Sequence, residues 1–272
     1  MPDQESILAS CIQLTAGDDL QANLDRASHL IDNAAKIGSK LLLLPENFSF
    51  MGATEEAKLA VTEPQESSSV LAFLSEKARL HNIAIIGGSL LLKQTGEKKA
   101  RNCSPVFSAQ GELLAYYDKI HLFDAALPNE KYRESDMIEP GLQPKMVELD
   151  SWKLGLSICY DLRFPELYRH YSAHGCNIIT VPSAFTISTG KAHWETLLRA
   201  RAIENECYVL AAGQCGNHPG ARKTWGHSMI ISPWGEVLSS LDEGEGVITA
   251  ELSLEKLKGV REALPALNHR RL

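Results

Sequence analysis

The sequence predicts an α/β fold in which sheets are covered by helices, and three observations carry that expectation. Short β-branched or leucine-rich segments alternate with longer ones whose apolar residues recur every three to four positions. The alternation runs through 272 residues with no Pro/Gly/Ser-rich linker, so residues 1–272 are expected to form one domain. It also repeats in two similar halves, which suits a four-layer αββα sandwich, although pattern alone leaves three layers open as well.

The first half opens with a strand over 7–14 and a helix over 20–37, where Leu20, Leu24, Ala27, Leu30, Ile31 and Ala34 share a face. Gly38 supplies the helix stop. Leu41, Leu42, Leu43 and Leu44 lack polar alternation and read as a strand buried on both faces, ended by Pro45 and Glu46. A helix over 68–81, a strand over 83–91, a hairpin region marked by Thr95-Gly96 and Gln110-Gly111, and a strand over 113–117 follow. Beyond Pro140-Gly141 the pattern resumes: strand 152–158, helix 165–174, strand 177–181, helix 193–205 and strand 208–212. Further strands fit 227–231, 237–241 and 247–252, before an amphipathic segment over 254–264 and a tail over 267–272.

Composition narrows the function classes. With 44% hydrophobic and 22% charged residues the chain is an ordinary globular one. A net charge of −7 with scattered basic residues argues against nucleic acid as a partner. The longest apolar run, over 83–92, is far below the roughly 20 residues that span a bilayer, so no membrane partner is expected. Residues 1–10 carry Asp3 and Glu5 and lack a signal-peptide pattern, which makes a cytoplasmic location the expectation. Cys11, Cys103, Cys159, Cys176, Cys207 and Cys215 lie in or beside apolar segments and read as free thiols. There is no C-x-x-C or H-E-x-x-H signature, so neither a metal nor another cofactor is expected.

Three reactive side chains occupy one structural position: Glu46, Lys119 and Cys159 each follow an apolar strand. Ligand sites in α/β proteins lie beyond the carboxyl ends of strands, which allows residues distant in sequence to meet. Singly, each has an ordinary reading: Cys159 as a small core residue, Glu46 as a loop carboxylate, Lys119 as a surface charge beside Asp118. The run Cys159-Tyr160-Asp161-Leu162-Arg163-Phe164-Pro165-Glu166 places the thiol at a strand-to-helix turn, where free backbone N–H groups can stabilise a thiolate or an oxyanion.

That run, together with Leu44-Pro45-Glu46-Asn47 and Tyr117-Asp118-Lys119-Ile120-His121-Leu122, resembles three signature segments of the nitrilase superfamily, in order. The likeness continues through Tyr132-Arg133-Glu134-Ser135, Pro182-Ser183-Ala184-Phe185, His193-Trp194-Glu195 and Trp225-Gly226-His227-Ser228. It implies an αββα fold, a catalytic set of Glu46, Lys119 and Cys159 with Glu134 as a further carboxylate, and assembly into homodimers or larger homo-oligomers. The implied chemistry is amide hydrolysis through a Cys159 thioester, with Lys119 and the Tyr160 N–H facing the oxyanion.

For the substrate, Arg163 is placed to hold a carboxylate of a 2-oxo acid amide, or else to form an ion pair with Asp161 or Glu166. Phe185 and Thr189 fit a pocket wall and a hydroxyl donor, or core packing. The segments 198–204 and 211–216, with Leu264-Pro265 and His269-Arg270-Arg271, are similar to the branch of the superfamily that hydrolyses deaminated glutathione to 2-oxoglutarate and cysteinylglycine. An ω-amidase releasing ammonia from 2-oxoglutaramate is the alternative. The loop 217–224, with His218, Arg222 and Lys223, reads better as a solvated basic loop than as a leaving-group contact. A catalytically silent interaction module and a thiol protease using His121, His170 or His193 are the readings from other classes. The intact triad argues against the first and the missing protease signature against the second.

Overall fold

A computed structural model describes residues 6–93, 96–127 and 130–271. Asp3, Glu5, Thr95 and Leu272, each part of an expectation above, lie outside the described residues. The chain begins with β1 (Ser6–Gln13), followed by α1 (Leu20–Ile37), which starts where the Asp19 carboxylate accepts from the Ala22 N–H and stops at Gly38 with φ +96°. Next come β2 (Leu41–Leu43), a short α2 (Glu55–Ala60), β3 (Glu63–Pro64) and α3 (Ser69–His81). The single strand expected over 83–91 is two, β4 (Ala84–Ile86) and β5 (Leu90–Lys93). Gly88 divides them: its φ is +56°, and a Cβ there would stand 2.1 Å from the Pro45 carbonyl oxygen. The expected hairpin region contains a full strand, β6 (Arg101–Phe107), which pairs antiparallel with β7 (Leu113–Asp118). A small hairpin, β8 (Asp124–Leu127) and β9 (Glu130–Arg133), has no counterpart in the sequence reading.

The second half contains β10 (Met146–Leu149), β11 (Trp152–Leu156), α4 (Pro165–Ala173), β12 (Ile178–Ser183) and α5 (Ile187–Asn205). Helix α5 begins six residues before the expected start at His193, because the Thr186 hydroxyl caps it by accepting from the Thr189 N–H. After β13 (Tyr208–Gly213) come a hairpin, β14 (Cys215–Asn217) with β15 (Lys223–Trp225), then β16 (Ser228–Ile231), β17 (Val237–Leu241), β18 (Gly246–Ser253) and α6 (Leu254–Ala263). The expected tail carries a short 3-10 turn, Ala266–His269.

One sheet has the order β18-β1-β2-β4-β6-β5-β3, with β7 on β6, and the other β10-β11-β12-β13-β16-β17. Strand β18 returns to lie antiparallel to β1, so the C-terminal part of the chain completes the first sheet. Side-chain alternation in β2 shows why there are four layers. Leu41 and Leu43 join the cluster between the sheets with Leu154, Leu156 and Val209, whereas Leu42 and Leu44 pack outward against Leu30, Ile31 and Leu74 of α1 and α3. Helices α4 and α5 cover the second sheet through Tyr168, Tyr171, Trp194 and Leu198. Each fully buried leucine stabilises this arrangement by about 1.5–3 kcal/mol. Among the described residues no helix is long and apolar enough to cross a membrane.

Candidate active site

Glu46, Lys119 and Cys159 meet in one cleft where strands of both sheets end. Glu46 follows β2 in a loop held from both sides. Gln214 Nε2 donates to the carbonyl oxygens of Glu46 (3.0 Å) and Asn47 (3.3 Å), and the Asn47 N–H donates to Ser89 Oγ at 3.1 Å. Lys119 follows β7, its N–H donating to the Asn102 carbonyl at 2.9 Å. Its Nζ donates to Glu46 Oε1 at 2.9 Å and to both Glu134 oxygens, at 3.1 and 2.9 Å. Glu134 is oriented in turn by the Phe123 N–H, 2.7 Å from its Oε2. These groups are dry: Lys119 is 2% and Glu46 3% exposed.

Cys159 opens a 3-10 turn, Cys159–Arg163, with φ +49°. A side chain in this left-handed region is strained, and such strain persists only where the surroundings enforce it. Here the enforcing group is Asp161, fully buried. Its Oδ2 accepts from the Ile158 N–H (2.9 Å) and the Tyr117 hydroxyl (2.7 Å), and its Oδ1 from the His121 N–H (3.0 Å), with the His121 ring Nδ1 at 2.7 Å. Tyr117 and His121 flank Lys119, so one carboxylate ties the segment bearing the lysine to the turn bearing the thiol. Asp161→Asn turns one of these oxygens into a donor facing other donors. The Tyr117 hydroxyl can rotate to accept, but a backbone N–H cannot. We expect a loss of about 1–3 kcal/mol, read as a lower melting temperature, with slower turnover. An unchanged melting curve would remove Asp161 from this role.

The charges in the cleft support one another. Burial opposes the Glu46 charge, but Lys119 and then the neighbouring Cys159 thiol hold its carboxyl below the usual range. Burial likewise opposes the ammonium of Lys119, but Glu134 and Glu46 outweigh it and raise its pKa well above the ordinary value. For Cys159, burial and then the neighbouring Glu46 carboxylate push the thiol far up, with Lys119 opposing. The resting arrangement is therefore carboxylate, ammonium and neutral thiol, with the carboxylate beside the thiol that would need a base.

Tyr160, Arg163, Phe185 and Thr189 all line the same cleft. Arg163 makes no ion pair with Asp161 or Glu166: Asp161 is engaged as described, and the guanidinium lies over the Tyr160 and Phe185 rings with Nη1 3.3 Å from His193 Nδ1. Phe185 serves both expected roles, since it also packs on Trp194 with ring centroids 4.8 Å apart. The Thr189 hydroxyl is 2.9 Å from Thr186 Oγ1. The loop 217–224 corrects the solvated reading. His218 is buried against the Ala16 carbonyl (2.8 Å) and Thr224 Oγ1 (2.6 Å), and Arg222 lines the cleft, so of the three basic side chains only that of Lys223 is exposed. The thiol-protease reading has no support, because His121 is held by Asp161, His193 by Arg163, and His170 packs on His174.

Sequence reasoning missed Asn102, whose Nδ2 donates to Glu46 Oε1 (3.1 Å) and Glu134 Oε1 (3.3 Å). It lies within β6, the strand hidden in the expected hairpin region, so nothing local distinguished it. The cleft holds a cavity of about 110 Å³ that opens to the surface. Among the described residues no group of His, Cys, Asp and Glu has the arrangement of a metal site.

Residues 8–262 match the carbon-nitrogen hydrolase family. The chain is 43% identical to a deaminated glutathione amidase of Synechocystis sp., covering 97% of both chains. It is 40% identical to the mouse (Mus musculus) deaminated glutathione amidase, over 97% of this chain and 83% of that one. In structure it is similar to Nit3 of Saccharomyces cerevisiae, a member of branch 10 of the nitrilase superfamily, with a TM-score of 0.90, 33% identity, and coverage of 98% of this chain and 97% of the other.

Proposed function

Because this chain belongs to the carbon-nitrogen hydrolase family of the nitrilase superfamily and is an amidase acting on linear amides, we propose that Cys159 is its nucleophile and deaminated glutathione its substrate. The observation that carries the first half is the hydrogen-bonded set of Glu46, Lys119 and Glu134, buried in the same cleft that the Cys159 thiol lines. Sulfur attacks the amide carbon as Glu46 takes the thiol proton, and the carbonyl electrons move onto oxygen, where Lys119 and the Tyr160 N–H stabilise the charge. Collapse of this intermediate breaks the carbon–nitrogen bond while Glu46 returns the proton to the departing amine. Glu46 then deprotonates water, which adds to the thioester and releases the acid and the thiol. Glu134 holds Lys119 in place. One domain over 1–272 carries this chemistry.

The named relatives support the substrate, as do the cations Arg163 and Arg222 in the cleft, which suit an anionic amide. Six buried free thiols fit a cytoplasmic protein. The exposed apolar side chains of Trp234, Leu238 and Leu264 support a homo-oligomer.

The test is to incubate the protein with deaminated glutathione, 2-oxoglutaramate and an aliphatic nitrile and to measure cysteinylglycine, ammonia and acid. Cysteinylglycine release is expected; ammonia from 2-oxoglutaramate with no cleavage of deaminated glutathione overturns the substrate. Arg163→Ala should raise KM for deaminated glutathione about 10- to 100-fold, the scale of a lost charge-assisted hydrogen bond. An unchanged KM refutes its contact with the carboxylate.

A further inference from the structure

The cleft has a guanidinium at each end of an aromatic wall. Arg222 lies over the Tyr132 ring at 5.6 Å, Tyr132 packs on Phe123 with centroids 4.9 Å apart, Phe123 packs on Tyr160 at 5.1 Å, and Arg163 lies over Tyr160 at 5.8 Å. Neither guanidinium has a carboxylate partner among the described residues. Arg222 is the less satisfied of the two. Its Nη2 donates to the Ala184 carbonyl at 3.4 Å, near the limit of a hydrogen bond, and its Nε is buried without an acceptor. A guanidinium held in a part-buried cleft with no carboxylate in hydrogen-bond contact keeps donors free for an anionic ligand.

The two ends differ in what they face. Arg163 is on the nucleophile's own turn, whereas Arg222 arrives on the hairpin formed by β14 and β15, which follows directly on Gln214, the residue whose Nε2 donates to the Glu46 and Asn47 carbonyls. Glu46 is the group that delivers a proton to the leaving nitrogen, so the departing amine must lie against it. Lys119 is committed to Glu46 and Glu134 and to the oxyanion, so a further cation brought to the Glu46 loop faces the amine side of the scissile bond. Lys58 strengthens that end: it lines the cleft, and its charge reaches His218 together with that of Arg222. The loop carrying Arg222 is seated on the segment before α2, where a Cβ on Gly220 would come within 2.6 Å of the Ala53 carbonyl oxygen.

We infer that Arg222 forms a second anion subsite, which binds a carboxylate on the amine fragment of the substrate and makes the enzyme selective for amides with a carboxylate on each side of the scissile bond. Deaminated glutathione has this form, with one carboxylate on the 2-oxo acid and one on glycine; an amide that releases ammonia has no group to place there. The inference rests on the proposed catalytic reading for the direction in which the substrate lies. It makes Arg222 a specificity residue, separate from the acyl-end contact at Arg163.

The test pairs deaminated glutathione with the same compound carrying a C-terminal carboxamide, assayed on the parent protein, Arg222→Met and Arg222→Lys. The parent should prefer the carboxylate substrate in kcat/KM by about 10- to 100-fold, the range of a charge-assisted contact. Arg222→Met should lose that factor on the carboxylate substrate and no longer distinguish the two, and Arg222→Lys should recover part of the preference. A parent that cleaves both substrates equally, or an Arg222→Met protein that keeps the parental ratio, overturns the subsite while leaving the amidase reading intact. A parent that cleaves only 2-oxoglutaramate overturns the proposed substrate and the subsite together. The parental ratio and the lysine variant remain decisive if the methionine variant does not fold.

Discussion

Cys159→Ala is expected to lower kcat by about 10⁴- to 10⁶-fold, the scale on which enzymes lose activity when a covalent nucleophile is removed. The reason lies in the geometry. The acyl group needs a nucleophile next to a base, and the Cys159 thiol lines the cleft beside the Glu46 carboxylate. Cys103, the other thiol near this region, instead donates to Asp118 Oδ1 at 2.7 Å and does not line the cleft. The substitution should leave folding intact, because alanine retains the backbone bonds from Asp161 that shape the turn; the left-handed backbone at this position is no worse for alanine than for cysteine. Acid-quenched parent protein should carry the acyl group as a thioester on the Cys159 peptide, seen by mass spectrometry, and the variant should carry none. Turnover in the variant within about tenfold of the parent would exclude covalent catalysis by this thiol.

Lys119→Met should cost about 10²- to 10³-fold in kcat, the effect of losing one oxyanion donor. It also leaves Glu46 and Glu134 buried without the cation between them, and breaking a buried ion pair from one side destabilises by about 3–5 kcal/mol. The sign of the pH effect follows. With Lys119 present, Glu46 titrates below its usual range, so the base is ionised through neutral pH and activity falls only as acidity reaches that depressed value. Without Lys119 burial dominates and the Glu46 pKa rises, so the acid limb of the kcat/KM profile should move to higher pH. An acid limb that stays in place would mean that Lys119 does not set the ionisation of Glu46.

The elements most legible in the sequence were those specified by local chemistry. Helix α1 begins and ends where the Asp19 cap and Gly38 place it, and the all-leucine run of β2 reads as a buried strand because both its faces are covered. Less legible were β6 and the β8–β9 hairpin, where Arg101, Asn102 and Ser104 or Asp124 and Arg133 interrupt the apolar pattern. The Asn102 amide N–H finds its partners in distant parts of the chain, at Glu46 and Glu134. The early start of α5 was missed because its first turn is polar and its apolar stripe begins only near Trp194.

The chemistry followed the same division. That Glu46, Lys119 and Cys159 each stand just after an apolar strand is written in local pattern, since strand ends are marked by where hydrophobic runs stop. That they meet is a property of the folded sheets, which bring residues 73 positions apart, Glu46 and Lys119, to 2.9 Å. The same holds for the cations that line the cleft: Arg163 could be suspected from its place four residues after Cys159, but the sequence favoured solvent for the loop carrying Arg222. Tertiary packing decided otherwise, because loop residues have no periodicity to reveal which way they face, and only the rings and carbonyls gathered from other segments give a charged side chain its place.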